Sequence, residues 1–257
     1  MSYYYGEQTR LQVEEAIQKN TVIIFPVGTT EEHGMHLPVE TDAIIARYFG
    51  DKIGAACEQA GIPALVLQPL VYGFSMGAVR RWPGCPNVDI KVVTDYVQNI
   101  TESLVKEGFS KIVFLDCHGN HDCVLRMVMR IVADRHNVFT MTLSPASLAN
   151  DVYQKRKRDP EGDIHGGEYE TSMILHIRPD LVDTSLYTDV DAIRCNSPLR
   201  GPVSTWGLQQ TKTGLFGDPT HATAELGREM AEAAVAKAVD YIRAYRDHTE
   251  QSDPIGK

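Results

Sequence analysis

Short apolar segments rich in β-branched residues alternate along the chain with longer segments whose apolar residues recur at helical spacing. Residues 21–27 form the first short segment, and residues 42–60 form the first helical one. The pair recurs three times, with a strand and a helix predicted at residues 64–67 and 89–107, 111–116 and 123–134, and 138–143 and 146–155. Because short, continuously apolar strands must be buried on both faces, this order predicts an α/β fold, a three-layer α/β/α arrangement with a mostly parallel central sheet.

Two further helices complete the predicted set, at residues 169–177 and at residues 223–245. The second is rich in alanine, and we expect it to pack on the sheet or on a neighbouring subunit. The breaker-rich stretches at 155–167 and 196–205 adjoin segments dense in polar residues, so neither is typical of a linker between two cores. We therefore expect a single domain over residues 1–257.

Composition and charge narrow the classes of function. The 257 residues are 43% hydrophobic and 23% charged, which is typical of a folded soluble protein, and a net charge of −9 argues against nucleic acid or an anionic membrane as a partner. No apolar run is long enough to span a membrane, and the first ten residues lack the apolar core of a secretory signal, which predicts a cytoplasmic protein. The five cysteines form no C-x-x-C pair, and we expect them to be reduced and mostly buried.

Two polar clusters follow predicted strands directly. Residues 29–42 (TTEEHGMHLPVETD) follow the strand that ends at Val27, and residues 116–122 (DCHGNHD) follow the strand that ends at Leu115. In an open parallel sheet, ligands bind in the crevice beyond the carboxyl ends of the strands. The two clusters are therefore predicted to share one crevice.

The residue types in these clusters are those of a transition-metal site. Glu31 and His33 are two positions apart, so in an extended segment their side chains point the same way. Asp42 and His118 add a carboxylate and an imidazole, a donor set that suits zinc, manganese or iron(II). A third polar cluster at residues 164–172 contains further acids and a histidine, and one more carboxylate would suffice for two bridged ions.

Each polar residue also has a purely structural interpretation. Asp42 would cap the helix behind it by accepting backbone N–H bonds. His36 would be an ordinary loop histidine or a group that fixes a metal ligand. The remaining structural interpretations are solvated charges for Glu31, Glu32 and Glu168, and helix-start residues for His121 and Asp122.

Four motifs in order resemble those of the creatininase (creatinine amidohydrolase) family. Residues 30–38 (TEEHGMHLP) with Thr41 and Asp42 resemble T-E-x-H-G-x-H-L-P-x-x-T-D, and His118-Gly119 resembles part of N-G-H-G-G-N. Residues 165–172 (HGGEYETS) resemble H-A-G-x-x-E-T-S, and residues 217–219 (GDP) with 222–225 (ATAE) resemble G-D-P-x-x-A-T-x-E. The resemblance implies a layered α/β/α fold, a two-metal hydrolase centre and a homo-oligomer, commonly a hexamer.

The resemblance also implies site residues. Glu31, Asp42 and His118 would hold one divalent ion, and His33 with the shared Asp42 and a further carboxylate would hold the other. The family places that carboxylate two positions after its second-motif histidine, where this chain has Asn120, so we assign the role to Glu170. The candidate catalytic residues are Glu170 and His165, which matches a histidine near the reacting centre of the family and is our candidate proton shuttle.

The substrate segment departs from the family pattern. The family often shows G-x-S-x-x-H followed by F-P-G-T, whereas this chain has residues 73–76 (GFSM) and 80–85 (RRWPGC). Paired arginines could bind a carboxylate, phosphate or polyol, or be solvated. The tryptophans of this chain, Trp82 and Trp206, do not clearly match those of the family. Our candidate substrate-binding residues are Ser75, Arg80, Arg81, Trp82 and His121.

The predicted function is metal-dependent hydrolysis of a C–N bond in a small cyclic or formylated amide. A metal-activated water would attack the carbonyl carbon, and His165 would pass a proton to the leaving nitrogen. One alternative keeps the metal centre but opens the ring of a cyclic keto-inositol of the 3-dehydro-scyllo-inosose type by C–C hydrolysis. Another, of a different class, is a non-catalytic metal-dependent binding or scaffold protein.

Overall fold

The central element of the fold is a four-stranded parallel sheet. A computed structural model describes residues 2–159, 165–187 and 211–248. Within them the strand order is β2-β1-β3-β4, and every pair of neighbours is parallel. The strands are β1 (Val22–Val27), β2 (Ala64–Val66), β3 (Ile112–Asp116) and β4 (Met141–Leu143).

Eight α-helices accompany the sheet within the described residues. They are α1 (Arg10–Gln18), α2 (Thr41–Gln59), α3 (Ile90–Glu107), α4 (Asp122–His136), α5 (Pro145–Leu148), α6 (Asn150–Arg156), α7 (Glu168–Ile177) and α8 (Ala224–Asp247). The helix predicted at residues 146–155 is therefore two short helices. The chain bends between them at Ala149, after the Ser144 side chain has capped α5 by accepting the N–H of Ser147.

Successive side chains along each strand point to opposite faces of the sheet, and this divides the core into two halves. In β1, Ile23, Phe25 and Val27 pack with α1, α3 and α4, whereas Val22 and Ile24 face α2 and the C-terminal helices. Helices therefore cover both faces of the sheet, and the predicted three-layer α/β/α fold is confirmed.

The strand order places a switch point between β1 and β3. After β1 the chain turns to β2 on one side, and it then crosses to β3 on the other side. The loops that leave β1 and β3 therefore diverge, and the crevice between them is where an open sheet of this kind binds ligands. Gly28 brings α2 to this place, because a Cβ atom on it would lie 2.7 Å from the backbone oxygen of Asp42.

The cysteines depart in part from the expectation of burial. Among the described residues all are unpaired thiols, but only Cys57 is buried, Cys85 and Cys117 are half-buried and Cys123 is exposed. Cys123 is exposed because it lies at the start of α4, on the side that faces away from the sheet. Cys195 lies outside the described residues. No helix in the described part of the chain is both long and apolar enough to cross a membrane.

Candidate metal centre

The loop after β1 carries its acidic and imidazole side chains inward. Glu31 and His33 are buried, at 1% and 0% exposure. The loop is closed by a hydrogen bond from the Glu31 N–H to the Val39 carbonyl at 2.9 Å. His33 Nδ1 lies 3.0 Å from the Glu31 carbonyl oxygen, which can only accept, so Nδ1 carries the hydrogen. Nε2 of His33 therefore faces the centre, and it is the nitrogen available to a metal once its proton is displaced.

Asp42 stands between two histidines at the start of α2. Its Oδ2 lies 2.8 Å from His118 Nδ1, and its Oδ1 lies 3.3 Å from His33 Nε2. The residue at the N-cap of α2 is Glu40, and Asp42 lies within the first turn. Asp42 is therefore placed to bridge two ligand sets, not to cap the helix.

His118 is oriented by the backbone of another loop. Its Nε2 donates to the Phe74 carbonyl at 3.1 Å, which leaves Nδ1 facing Asp42 and, at 3.7 Å, Glu31 Oε1. The Phe74 N–H donates in turn to His121 Nε2 at 3.0 Å. A backbone acceptor behind each metal-facing imidazole is the usual arrangement around histidine ligands.

His165 and Glu170 reach the same place from α7 and the residues before it. His165 Nε2 donates to the Glu32 carbonyl at 2.7 Å, so Nδ1 faces Glu31 Oε1 at 3.5 Å. Glu170 Oε2 accepts the Gly166 N–H at 2.6 Å and lies 3.7 Å from His33 Nε2. The structure thus brings together all six residues that the sequence proposed for the metal centre and its proton shuttle.

These residues form three overlapping ligand sets within the described part of the chain. The candidate ligand atoms of each set lie within 4.8 Å of one another, and the sets are Glu31–Asp42–His118, His33–Asp42–Glu170 and Glu31–His33–His165. Both carboxylate oxygens of Glu31 are buried and accept no hydrogen bond from the described residues. Buried charge that no hydrogen bond satisfies is costly unless a cation coordinates it, so the residues present fit divalent metal ions.

The electrostatics of the metal-free centre lead to the same conclusion. Burial alone would lower the pKa of His118, but Glu31 and Asp42 raise that pKa to about 9. Asp42 and Glu170 likewise overcome burial and hold the pKa of His33 well above its usual value. Without a metal, the carboxylates are therefore compensated by protons on the imidazoles, which a divalent ion would displace.

Three acids that have a structural interpretation as solvated charges are buried instead, whereas Asp122 and His121 do lie at the start of α4, as its first residue and its N-cap. Glu31 and Glu32 are buried, and so is Glu168, because its carboxylate accepts the backbone N–H groups of Arg158 and Asp159 at 2.9 to 3.1 Å. The interpretation of these three acids as solvated charges is wrong. His36 is buried too, with Nε2 2.8 Å from Thr171 Oγ1.

The cavity beside the centre has an apolar wall that the sequence did not predict. It measures about 150 Å³ and is lined by Glu31, His118, His165 and Glu170 on one side. Its other lining residues are Met76, Ala78, Val79, Gly119, Asn120 and Phe216. Two features of the sequence could have indicated this wall: Phe216 directly precedes the G-D-P motif, and Met76 directly follows Ser75.

The predicted substrate-binding residues lie around this cavity without lining it. Ser75 is fully buried, and its hydroxyl has no hydrogen-bond partner among the described residues. Arg80 and Arg81 are exposed, with the Arg80 guanidinium 5.7 Å from the Phe74 ring centroid, and Trp82 is half-buried. His121 is fully buried behind His118, with the ring centroids 4.7 Å apart. Trp206 lies outside the described residues.

Comparisons with known proteins identify the class. The profile of the creatininase (creatinine amidohydrolase) family matches residues 6–242. The chain is 30% identical to the mycofactocin precursor peptide peptidase of Mycolicibacterium smegmatis, over 94% of this chain and 91% of the relative. It is 28% identical to the creatinine amidohydrolase of Pseudomonas putida, over 94% and 96%. The chain therefore belongs to the creatininase family of metal-dependent hydrolases.

Solved structures agree with this assignment, and the relatives differ in their reactions. A manganese creatininase structure superposes with a TM-score of 0.81 at 26% identity, covering 96% of this chain and 100% of the other. A mutant creatininase of Zn-Zn type superposes at 0.80 and 25% identity over the same shares. The 3-dehydro-scyllo-inosose hydrolase of Thermotoga maritima is 24% identical over 99% of this chain and 86% of the relative. The solved relatives thus include manganese and zinc forms.

Proposed function

We propose that the protein hydrolyses the C–N bond of a small amide at a centre of two divalent ions. The observation that carries this proposal is the position of Asp42, whose two oxygens face different histidines at 2.8 and 3.3 Å. A carboxylate that bridges two ligand sets is how two-metal hydrolases hold their ions close together. Glu31 and His118 complete one set, and His33 and Glu170 complete the other.

The charges of the centre favour two ions over one. Glu31, Glu32, Asp42 and Glu170 place four carboxylates around it, and in the described residues the ion pairs of Glu31 and Asp42 are with histidines alone. Two divalent ions balance these four negative charges, whereas one ion leaves part of that charge to protons on the imidazoles. Zinc, manganese and iron(II) all accept this mixture of carboxylate and imidazole ligands.

The protein side chains orient the reaction and move the proton. When bound, the ions supply an activated water and polarise the substrate carbonyl. His165 keeps a lone pair on Nδ1 towards the centre because its Nε2–H is held by the Glu32 carbonyl. That atom takes up a proton and passes it to the leaving nitrogen. The Glu32 carboxylate, with Oε1 3.7 Å from His165 Nε2, stabilises the positive charge on the ring.

The cavity favours a compact substrate. About 150 Å³ is below the range of roughly 300 to 1,000 Å³ for pockets that hold drug-sized ligands. Its wall of Met76, Val79 and Phe216 suits the apolar face of a ring, and Asn120 offers a hydrogen-bonding amide. A cyclic or formylated amide satisfies both features.

Two other substrates remain as candidates. A peptide amide is favoured by a second cavity of about 430 Å³ that shares His118, Gly119 and Glu170 with the first, and by the peptidase relative. C–C hydrolysis of a cyclic keto-inositol is favoured by the Thermotoga relative. A non-catalytic binding protein is disfavoured, because the relatives that the chain matches over most of its length are named as a peptidase, an amidohydrolase and a hydrolase.

Assays of metal-loaded protein against cyclic amides, formylated amides, short peptides and cyclic keto-inositols test this proposal. We expect turnover of a cyclic or formylated amide, with loss of turnover after dialysis against a chelator and recovery when metal is restored. Turnover of keto-inositols alone, or turnover that survives complete metal removal, contradicts it. We further propose that the protein is cytoplasmic and that it is a homo-oligomer, a hexamer by its resemblance to the family. Light scattering on the purified protein tests the number of subunits.

A further inference from the structure

The two-ion centre proposed above does not use the third ligand set as a position for an ion, although each of its members has another role there. Glu31, His33 and His165 offer a carboxylate and two imidazoles, all buried, at 1%, 0% and 7% exposure. We propose that these three residues form an alternative cation position, which competes with the position at His33, Asp42 and Glu170 for the second ion. This inference rests on the metal-binding part of the proposed function.

The hydrogen bonds of both histidines leave the correct atoms free for ligation. His33 Nδ1 donates to the Glu31 carbonyl and His165 Nε2 donates to the Glu32 carbonyl, so each ring directs its other nitrogen inward. The two rings are close neighbours, with centroids 4.2 Å apart and planes tilted by 31°. The Glu31 carboxylate lies 3.5 Å from His165 Nδ1 and has no hydrogen bond from the described residues. An unsatisfied buried carboxylate beside two lone pairs is the environment of a cation site.

The two positions exclude each other because they share one lone pair. His33 has a single free nitrogen, Nε2, since Nδ1 is committed to the backbone. Nε2 lies 3.3 Å from Asp42 Oδ1 and 3.7 Å from Glu170 Oε2, and it also belongs to the set with Glu31 and His165. One lone pair ligates one ion. The centre therefore has three places for two ions.

The ligand types make the alternative position selective. It has two imidazoles and one carboxylate, whereas each of the other two sets has one imidazole and two carboxylates. Imidazole suits zinc, iron, copper and nickel, whereas carboxylate suits manganese and magnesium. Zinc is therefore expected to use the alternative position more readily than manganese. A zinc ion there occupies Nδ1 of His165, the atom that would carry the proton in the proposed reaction.

The experiment removes Glu170, which is a ligand only in the position at His33, Asp42 and Glu170. Glu170→Gln, the double variant Glu170→Gln/His165→Gln and the control Glu170→Gln/His136→Gln are loaded with Zn²⁺ or Mn²⁺, dialysed, and analysed for metal per folded chain. We expect about two Zn²⁺ but about one Mn²⁺ in Glu170→Gln and in the control, and about one Zn²⁺ in the double variant. His136 is a suitable control because it lies at the end of α4, outside the three ligand sets.

Each outcome is decisive. Equal zinc content in Glu170→Gln and in Glu170→Gln/His165→Gln overturns the inference. Retention of Mn²⁺ and Zn²⁺ to the same degree in Glu170→Gln also overturns it. Wild-type protein that binds no transition metal instead contradicts the proposed function, which separates the two failures. If Glu170→Gln does not fold, Glu170→Ala replaces it, and anomalous diffraction from zinc-loaded crystals shows whether an ion contacts His165 Nδ1.

Discussion

The polar groups at the two ends of the sheet are paired in opposite ways. At the amino ends of the strands, Lys111 Nζ donates to the carbonyls of Tyr245 and His248 at 2.9 and 2.8 Å, and the Tyr245 hydroxyl accepts the Ile112 N–H. At the carboxyl ends, both oxygens of Glu31 lack a hydrogen bond from the described residues. A cavity of about 180 Å³ lies at the amino end, and cavities of about 150 and 430 Å³ lie at the carboxyl end.

This difference shows that the pairing of the polar groups distinguishes the functional end. A lysine that donates to the last carbonyls of α8 stabilises that helix end. Buried carboxylate oxygens that accept no hydrogen bond, such as those of Glu31, cost stability, and a chain retains them where a cation or substrate completes them. The predictions below separate these two behaviours.

Loss of Asp42 should have the largest effect. Asp42→Ala removes the oxygens that two ligand sets share, so we expect hydrolysis and bound Mn²⁺ both to fall to background, while at most about one Zn²⁺ stays at Glu31, His33 and His165. Metal analysis of the purified variant measures this. Asp122→Ala is the matched control, because Asp122 pairs with Arg126 on the exposed face of α4. Full metal and activity in Asp42→Ala would show that the carboxyl end of the sheet is not the metal centre.

Replacement of His165 should reduce the rate without emptying the centre. A positioned proton carrier typically contributes about 10² to 10⁴ in rate, so we expect kcat of His165→Gln to fall by that factor while two ions remain bound. Steady-state kinetics and metal analysis on one preparation check both parts. An ion lost together with the rate would mean that His165 is a ligand of the resting centre.

The metal affinity should rise with pH. Although burial lowers it, the nearby carboxylates raise the pKa of His118 to about 9 in the metal-free protein, so the ring is protonated at pH 7. Only the neutral ring binds a metal, and the apparent affinity should therefore increase by about tenfold per pH unit for each proton displaced between about pH 7 and 9. Chelator competition at several pH values measures this slope. A flat profile would mean that a metal displaces no proton from the centre.

Replacement of Lys111 should have the smallest functional effect. Lys111→Met removes two charged hydrogen bonds at the amino end of the sheet, so we expect the free energy of unfolding to fall by about 1 to 3 kcal/mol. Metal content and kcat should be unchanged, because the opposite end of the sheet is not involved. Urea unfolding measures the change, with the exposed Lys91→Met as control. A large loss of metal here would remove the distinction between the two ends.

Part of the fold followed from hydrophobic patterning alone. The buried strands β1 and β3 and the long helix α2 were predicted to within two residues at each end, because their apolar residues dominate the local pattern. Helix α1 was not predicted, since Ala16 is its only buried residue. The capping box of Thr9 and Gln12 in front of it was the available signal.

The candidate site likewise has features that the sequence could predict and features that it could not. Glu31, Asp42 and His118 could be predicted to meet, because residues that follow neighbouring parallel strands must reach the same edge of the sheet. The apolar wall formed by Phe216 and Val79 could not be predicted, because it depends on how two loops fold over the crevice. The burial of Glu168 also escaped, since its partners are backbone N–H groups ten and nine residues earlier.

The sequence by itself determined the layered fold, the family and the residue types that gather at one edge of the sheet, because periodicity and motif order are local properties of the chain. Only the tertiary structure decided which nitrogen of each histidine faces the centre, which carboxylates lack hydrogen bonds, and that His33 and Glu31 each belong to two ligand sets. These properties depend on backbone carbonyls supplied by distant loops, and their positions are fixed when the whole core packs.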